Sequence, residues 1–274
     1  MALALDVWLR FWVLIRYRRR QAEKIACFNR AAWAWGRALF STVRWAVRLR
    51  IAVEGEVPSK GRFLIVANHQ SSFDIPLLIT LFRPLNLKFV AMEELRRGKP
   101  TISLVLRHGG FAIVGQQNIG QDLAALARCA ANLEQFDGSP VIFPAGWVER
   151  DQEARRFYLA GLEVLRRGSR LPILPVAIAG MERAPSFRSI ARAAGSCVTV
   201  RISDPIPCEV AGKDPRATYL RLEEKIYGDV AEIRAGARGP SGGAPGGPAD
   251  PVPGGAPSGV THGTSGTSAG TRAG

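Results

Sequence analysis

From Val53 onward the chain alternates short apolar runs with longer amphipathic stretches, and this alternation restricts its fold more than any other feature. The apolar runs read as strands at Phe63–Ala67, Leu87–Ala91, Phe111–Val114, Val141–Phe143, Ile173–Ile178 and Cys197–Ile202. Helical stretches lie between them at Ile75–Phe82, Thr101–Arg107, Ile119–Phe136 and Arg155–Arg167, and an amphipathic, charge-rich helix follows at Arg216–Arg234. Leu123, Leu126, Ala127, Ala130 and Leu133 recur at helical spacing and mark a core face. The pattern predicts an α/β domain over residues 51–235, behind a helical segment at 1–50. Beyond Gly236 the composition collapses into Gly, Pro, Ser, Ala and Thr, which cannot bury enough surface to order itself, so 236–274 is predicted to be a disordered tail. His262 falls in that tail and is not a catalytic candidate. No internal repeat is present.

The first apolar run leads into Val66-Ala67-Asn68-His69-Gln70-Ser71-Ser72-Phe73-Asp74, with four residues between an imidazole and a carboxylate. A strand ending at Asn68-His69 delivers the ring to a sheet edge, where open α/β sheets bind ligands. A turn through Ser71 and Ser72 that starts a helix folds Asp74 back toward the ring. A carboxylate on one imidazole nitrogen fixes the tautomer and leaves the other nitrogen free as a base. His69 and Asp74 can then deprotonate a hydroxyl without a protein nucleophile. The plainer reading is an Asn-His turn capped by Ser71 or Ser72, with Asp74 in the first helical turn.

Lys and Arg number 37 against 23 Asp and Glu, a formal net charge of +14 with a pI near 10.6. Such a field attracts nucleic acid, anionic lipid or acidic carrier proteins. Cys27, Cys129, Cys197 and Cys208 are scattered without a C-x-x-C pair, as thiols of a reducing compartment are, and indicate neither zinc nor a disulfide framework. Met1 to Ile15 is apolar but interrupted by Asp6 and Arg10, short of the roughly 20 residues a bilayer span needs. It also lacks the leading basic region of a secretory signal; Arg16, Arg18, Arg19 and Arg20 follow it instead. On a helix over Ile25–Leu49, Arg30, Arg37, Arg44 and Arg48 share one stripe flanked by Trp33 and Trp45. Phe28, Ala32, Trp35, Leu39, Val43 and Ala46 fill the opposite face. That layout suits a helix lying in a membrane interface, and equally describes a helix covering the α/β domain with a solvated Arg face. No nucleic-acid motif accompanies the charge, so the expected partner is a membrane surface with anionic lipid and not nucleic acid.

Further landmarks follow the His69 segment: Gly109-Gly110-Phe111-Ala112-Ile113-Val114, then Val141-Ile142-Phe143-Pro144-Ala145-Gly146, then Leu171-Pro172-Ile173-Leu174-Pro175-Val176-Ala177-Ile178. In this order, from Val53 to Ser203, the chain resembles the lysophospholipid (1-acyl-glycerol-3-phosphate) acyltransferase family. The resemblance implies a mixed central sheet flanked by helices, glycerolipid acyltransferase-like, preceded by an N-terminal membrane-associated helical segment. It implies transfer of an acyl chain from acyl-CoA or acyl-carrier protein to a lysophospholipid hydroxyl in phospholipid biosynthesis. The expected location is the cytoplasmic face of a membrane, with no metal and no cofactor beyond the thioester co-substrate. His69 would be the base and Asp74 its orienting acid. Substrate contacts are expected from Asn68, Ser71, Gln116, Phe143, Pro144, Gly146 and Arg150. Backbone N–H groups at Ser71–Phe73 or Ala145–Gly146 are candidates for the oxyanion. Trp147 reads either as an acyl-channel wall or as core.

The two middle blocks depart from the family. Gly115 and Gln116 stand where it usually has an acidic residue and an Arg, and Ala145 and Val148 replace the Glu and Arg of its Phe-Pro-Glu-Gly-Thr-Arg block. By resemblance the missing groups grip the acceptor's phosphate, so a lysophospholipid acceptor of the broad 1-acyl-glycerol-3-phosphate type is expected ahead of lysophosphatidate itself, with the head group left open. Glu149, Arg150, Arg155, Arg156 and Lys99 are substitute candidates, and each also reads as a solvated surface charge. Two alternatives stand beside this reading. A Ser-dependent lipid hydrolase would use Ser71 or Ser72, though no Gly-x-Ser-x-Gly elbow is present. A non-catalytic basic membrane-surface protein would need only the charge.

Overall fold

A strand run buried on both faces must be apolar at every position, and Leu64–Ala67 and Ile173–Ala179 are. They form the centre of the sheet in the computed structural model, which describes residues 7, 11, 15, 20–96, 102–115, 118–134, 137–146 and 156–238. The strands are β1 (Arg50–Glu54), β2 (Leu64–Ala67), β3 (Leu87–Met92), β4 (Ala112–Val114), β5 (Ser139–Ile142), β6 (Ile173–Ala179) and β7 (Cys197–Ile202). They pair in the order β1-β7-β6-β2-β5-β3-β4. The strands from β2 to β6 run parallel to one another, whereas β7 is antiparallel to β6 and carries β1 parallel beside it. The sheet is therefore mixed, as expected. Its parallel strands all end at one edge, and the catalytic candidates lie there.

Alternation along β2 sends Ile65 and Ala67 to one core and Leu64 and Val66 to the other. The first core is closed by α1 (Gln21–Ala46), through Phe40, and α2 (Asp74–Leu81), through Leu77 and Leu78. Gly36 lets the two helices approach, since a Cβ there would stand 3.1 Å from the Ile79 side chain. A short helix, α3 (Ile102–His108), packs Leu104 and Val105 against Phe28 of α1. The second core is covered by α4 (Ile119–Asn132), α5 (Leu159–Ser169), α6 (Cys208–Lys213) and α7 (Pro215–Arg238).

The N-terminal helix departs from its expected span. It ends at Ala46, and Arg48 takes a left-handed turn conformation (φ 52°), so the chain reverses before Leu49 instead of continuing helically. Arg30, Arg37 and Arg44 are exposed as the stripe predicts, while Phe28 is fully buried and Ala46 is exposed. Helix α5 begins at Leu159; Arg155 lies outside the described residues. Edge strand β1 and the short α6 were not anticipated. No helix among the described residues is long and apolar enough to cross a membrane.

Lys88 of β3 is fully buried, and its ammonium donates to Asn29 Oδ1 of α1 and, at 2.6 Å, to Gly109 O. Burial pulls its pKa down to about 7. Beside it a cavity of about 700 Å³ opens between α1, the end of α2 and the start of β3, lined in part by Ile25, Trp33, Ile79, Leu87 and Phe111.

Candidate active site

Strand β2 stops at Ala67, but its hydrogen-bond ladder to β6 continues for one more step through a side chain. The Asn68 amide donates to Ile178 O at 2.8 Å and accepts from Ile178 N at 2.7 Å. Asparagine suits this because its amide carries a donor and an acceptor side by side, as a peptide does. The loop that follows is tied down the same way. Gln70 Oε1 accepts from Met181 N at 3.3 Å, Ser71 Oγ donates to Ala184 O, and Ser72 N donates to Pro185 O at 3.1 Å. Asp74 then opens α2, where a carboxylate meets the positive end of the helix.

One carboxylate oxygen organises the loop. Asp74 Oδ2 accepts from Gln70 N at 2.7 Å, from Ser71 N at 2.9 Å and from His69 Nδ1 at 2.9 Å. The Asp74 side chain is fully buried, while that of His69 remains 14% exposed. With Nδ1–H donating to Asp74 Oδ2, the Nε2 lone pair is left free. The imidazole lies flat against Phe143, with ring centroids 4.1 Å apart and planes 12° apart. One hydrogen bond and a stacked ring hold the imidazole in one orientation.

The other expected contacts separate into distinct roles. Asn68 and Ser71 were expected to touch substrate; both are fully buried, with their polar atoms engaged by the chain's own backbone, so here they shape the loop. Phe143 walls the imidazole. Pro144 O accepts from Tyr158 N at 2.9 Å, and Gly146 makes the turn after β5 at φ 79°, its N–H bonded to Phe143 O. Gln116 and Arg150 lie outside the described residues, as do Lys99, Trp147, Val148, Glu149 and Arg155. The serine hydroxyls face away from hydrolase chemistry, since Ser71 Oγ is bonded to Ala184 O and Ser72 Oγ to Pro185 O. Of the expected oxyanion donors, the N–H groups of Ser71, Ser72, Phe73 and Gly146 are engaged within the protein. Sequence reasoning missed Gln70 and the 181–185 carbonyl and amide anchors, because a backbone group leaves no signature in residue type.

Residues 50–179 match the family model described as Acyltransferase. Over that stretch, which contains both His69 and Asp74, the chain is similar to the acyltransferase family. The chain is 24% identical over 208 residues to the 1-acyl-sn-glycerol-3-phosphate acyltransferase of Saccharomyces cerevisiae, covering 74% of this chain and 67% of the yeast protein. Its fold matches the crystal structure of the 1-acyl-sn-glycerophosphate acyltransferase of Thermotoga maritima with a TM-score of 0.60. That match covers 85% of this chain and 96% of the other, at 22% identity. Both of these proteins are named as acyltransferases of the 1-acyl-glycerol-3-phosphate type, which are O-acyltransferases.

Proposed function

We propose that this acyltransferase moves a fatty acyl chain from acyl-CoA or acyl-carrier protein to the free hydroxyl of a lysophospholipid of the 1-acyl-glycerol-3-phosphate type, in phospholipid biosynthesis. The observation that carries the reading is His69 Nδ1 held 2.9 Å from a fully buried carboxylate, with the His69 side chain itself only partly buried. His69 Nε2 takes the proton as the acceptor oxygen attacks the thioester carbonyl. The tetrahedral intermediate collapses by breaking the carbon–sulfur bond, and the imidazolium returns its proton to the departing thiolate. Asp74 acts through His69, stabilising the ring while it is charged. Base catalysis of this kind contributes on the order of 10² to 10⁴ in rate.

The acyl chain has an apolar path on the α1 side of the sheet. Phe143 stacks on His69, Phe89 lies 6.2 Å from Phe143 by ring centroids, and Leu87, two residues earlier on the same face of β3, lines the 700 Å³ cavity. Gln116 and Arg150 are assigned to the head group. The exposed arginines of α1 suit attachment to anionic lipid at the cytoplasmic face of a membrane.

The test is incubation of the purified enzyme with acyl-CoA or acyl-carrier protein and a panel of lysolipids, with products identified by mass spectrometry. Transfer to a lysophosphatidate-type acceptor that disappears in His69→Ala is expected. Transfer that survives in His69→Ala overturns the assignment of the base.

A further inference from the structure

Two stretches of the chain contain no Asp or Glu at all: Lys24 to Val53, and Arg183 to Ser203. The fold brings them together beside the catalytic loop. Gly195 N donates to Val47 O at 2.8 Å and Arg50 N to Ser196 O at 2.9 Å, fastening the second stretch to the end of α1. At its other end the second stretch holds the loop itself, through the Ala184 and Pro185 carbonyls and through Phe187, whose ring centroid lies 4.4 Å from that of Phe73. The result is one continuous surface at the edge where His69 sits.

That surface is basic and aromatic. Trp45 is 82% exposed and Phe187 46% exposed. Arg44, Arg48, Arg183, Arg188 and Arg192 are exposed too, and none has an acidic partner among the described residues. Arg201 presents the opposite case: near the far end of β1 it pairs with Glu54, Asp229 and Glu232. An open hollow of about 420 Å³ lies within the patch, lined by Ser41, Arg44, Trp45, Arg48 and Leu49. Guanidinium groups around an exposed indole match a phosphodiester head group at the level where Trp rings settle in a bilayer.

We infer that residues 183–196 and the end of α1 form a docking surface for a bilayer leaflet carrying anionic phospholipid, one that turns the His69 edge of the sheet toward the membrane. The new element is the 183–196 segment, a contact made by the catalytic domain itself. The orientation rests on the lipid-acceptor reading above; the binding does not. A purely electrostatic nucleic-acid site would not need exposed Trp45 and Phe187 at its rim.

The experiment compares full-length enzyme with an Arg188→Gln/Arg192→Gln double variant in flotation with phosphatidylcholine vesicles, with and without phosphatidylglycerol. Each basic residue near an anionic surface is worth about fivefold in partitioning, so the double variant should bind the anionic vesicles about 25-fold less. Both side chains are exposed, so the fold and the turnover of a dispersed short-chain acceptor should be unchanged. Undiminished binding by a folded double variant overturns the inference. So does duplex DNA displacing the wild-type enzyme better than competing anionic vesicles do. Loss of vesicle binding in a protein that acylates no lysolipid would sustain the docking surface and defeat the functional reading alone.

Discussion

Replacing Asp74 with Asn isolates what its charge contributes, because the local geometry survives the change. Oδ2 faces three donors, from Gln70 N, Ser71 N and His69 Nδ1, so the amide oxygen must take its place; the NH₂ group there would face N–H groups. The ring therefore keeps its tautomer and its stack on Phe143. What disappears is the attraction between carboxylate and imidazolium as the proton moves. At a charge separation of about 4 Å this is worth about 4 kcal/mol for an effective dielectric near 20. The two backbone donors already offset part of the carboxylate's charge, which lowers the figure to roughly 3 to 4 kcal/mol. At 1.36 kcal/mol per decade, kcat should fall about 10²- to 10³-fold. Since Asp74 is fully buried, KM for the thioester should hold. Release of free thiol, followed with a chromogenic disulfide, measures both parameters, and a thermal melt verifies the fold. An Asp74→Asn enzyme with near-wild-type kcat would show that the imidazolium does not depend on this carboxylate.

Phe143→Ala removes the surface on which the imidazole lies, and an aromatic stack is worth about 0.5 to 1.5 kcal/mol, so kcat should drop roughly three- to tenfold while Phe143→Tyr stays close to wild type. Ile79→Trp narrows the 700 Å³ cavity beside Leu87, and competition between long and short acyl donors should shift products toward the short chain. Lys88 is neutral in the folded protein above about pH 7, whereas the unfolded chain keeps that proton to about pH 10.4. The unfolded state thus binds more protons, so stability should rise by about 1 to 2 kcal/mol between about pH 7 and 8.5 in denaturant titrations. Lys88→Met should abolish that rise. Above about pH 9 the rise should level off, because burial pushes the Cys129 thiol up to about 11 and the unfolded thiol ionises first, offsetting Lys88 until the unfolded lysine loses its own proton near about pH 10.4. Gly146→Ala places a Cβ on a residue at φ 79°, which should cost about 1 to 2 kcal/mol of stability.

How much of this was legible depended on where each contact came from. His69 and Asp74 meet across a single turn, so their spacing was enough to pair them. Ile173–Ala179 was legible because a strand with cores on both sides tolerates only apolar residues. Arg50–Glu54 was not, because an edge strand pairs on one side, and its half-exposed residues follow no regular alternation. The end of α1 was misplaced because amphipathic periodicity continues through Arg48, and a left-handed turn at an arginine leaves no mark in a hydrophobic pattern. Asn68 was taken for a ligand contact because an amide beside a catalytic histidine reads that way. Its actual partner, Ile178, lies 110 residues away and offers only a peptide group.

That last distance has a bearing on how the enzyme comes into being. Asp74 ties the histidine loop locally, but its fastenings to the rest of the fold at Ile178, Met181, Ala184 and Pro185 are made by chain synthesised long after the loop. While it emerges from the ribosome, the loop is a flexible tether with its imidazole unaligned, and closing so wide a circuit is a slow, entropically costly event. A nascent polypeptide cut short before Pro185 would hold both chemical groups and have no template to set them, so competence should arrive abruptly with the last strands of the sheet.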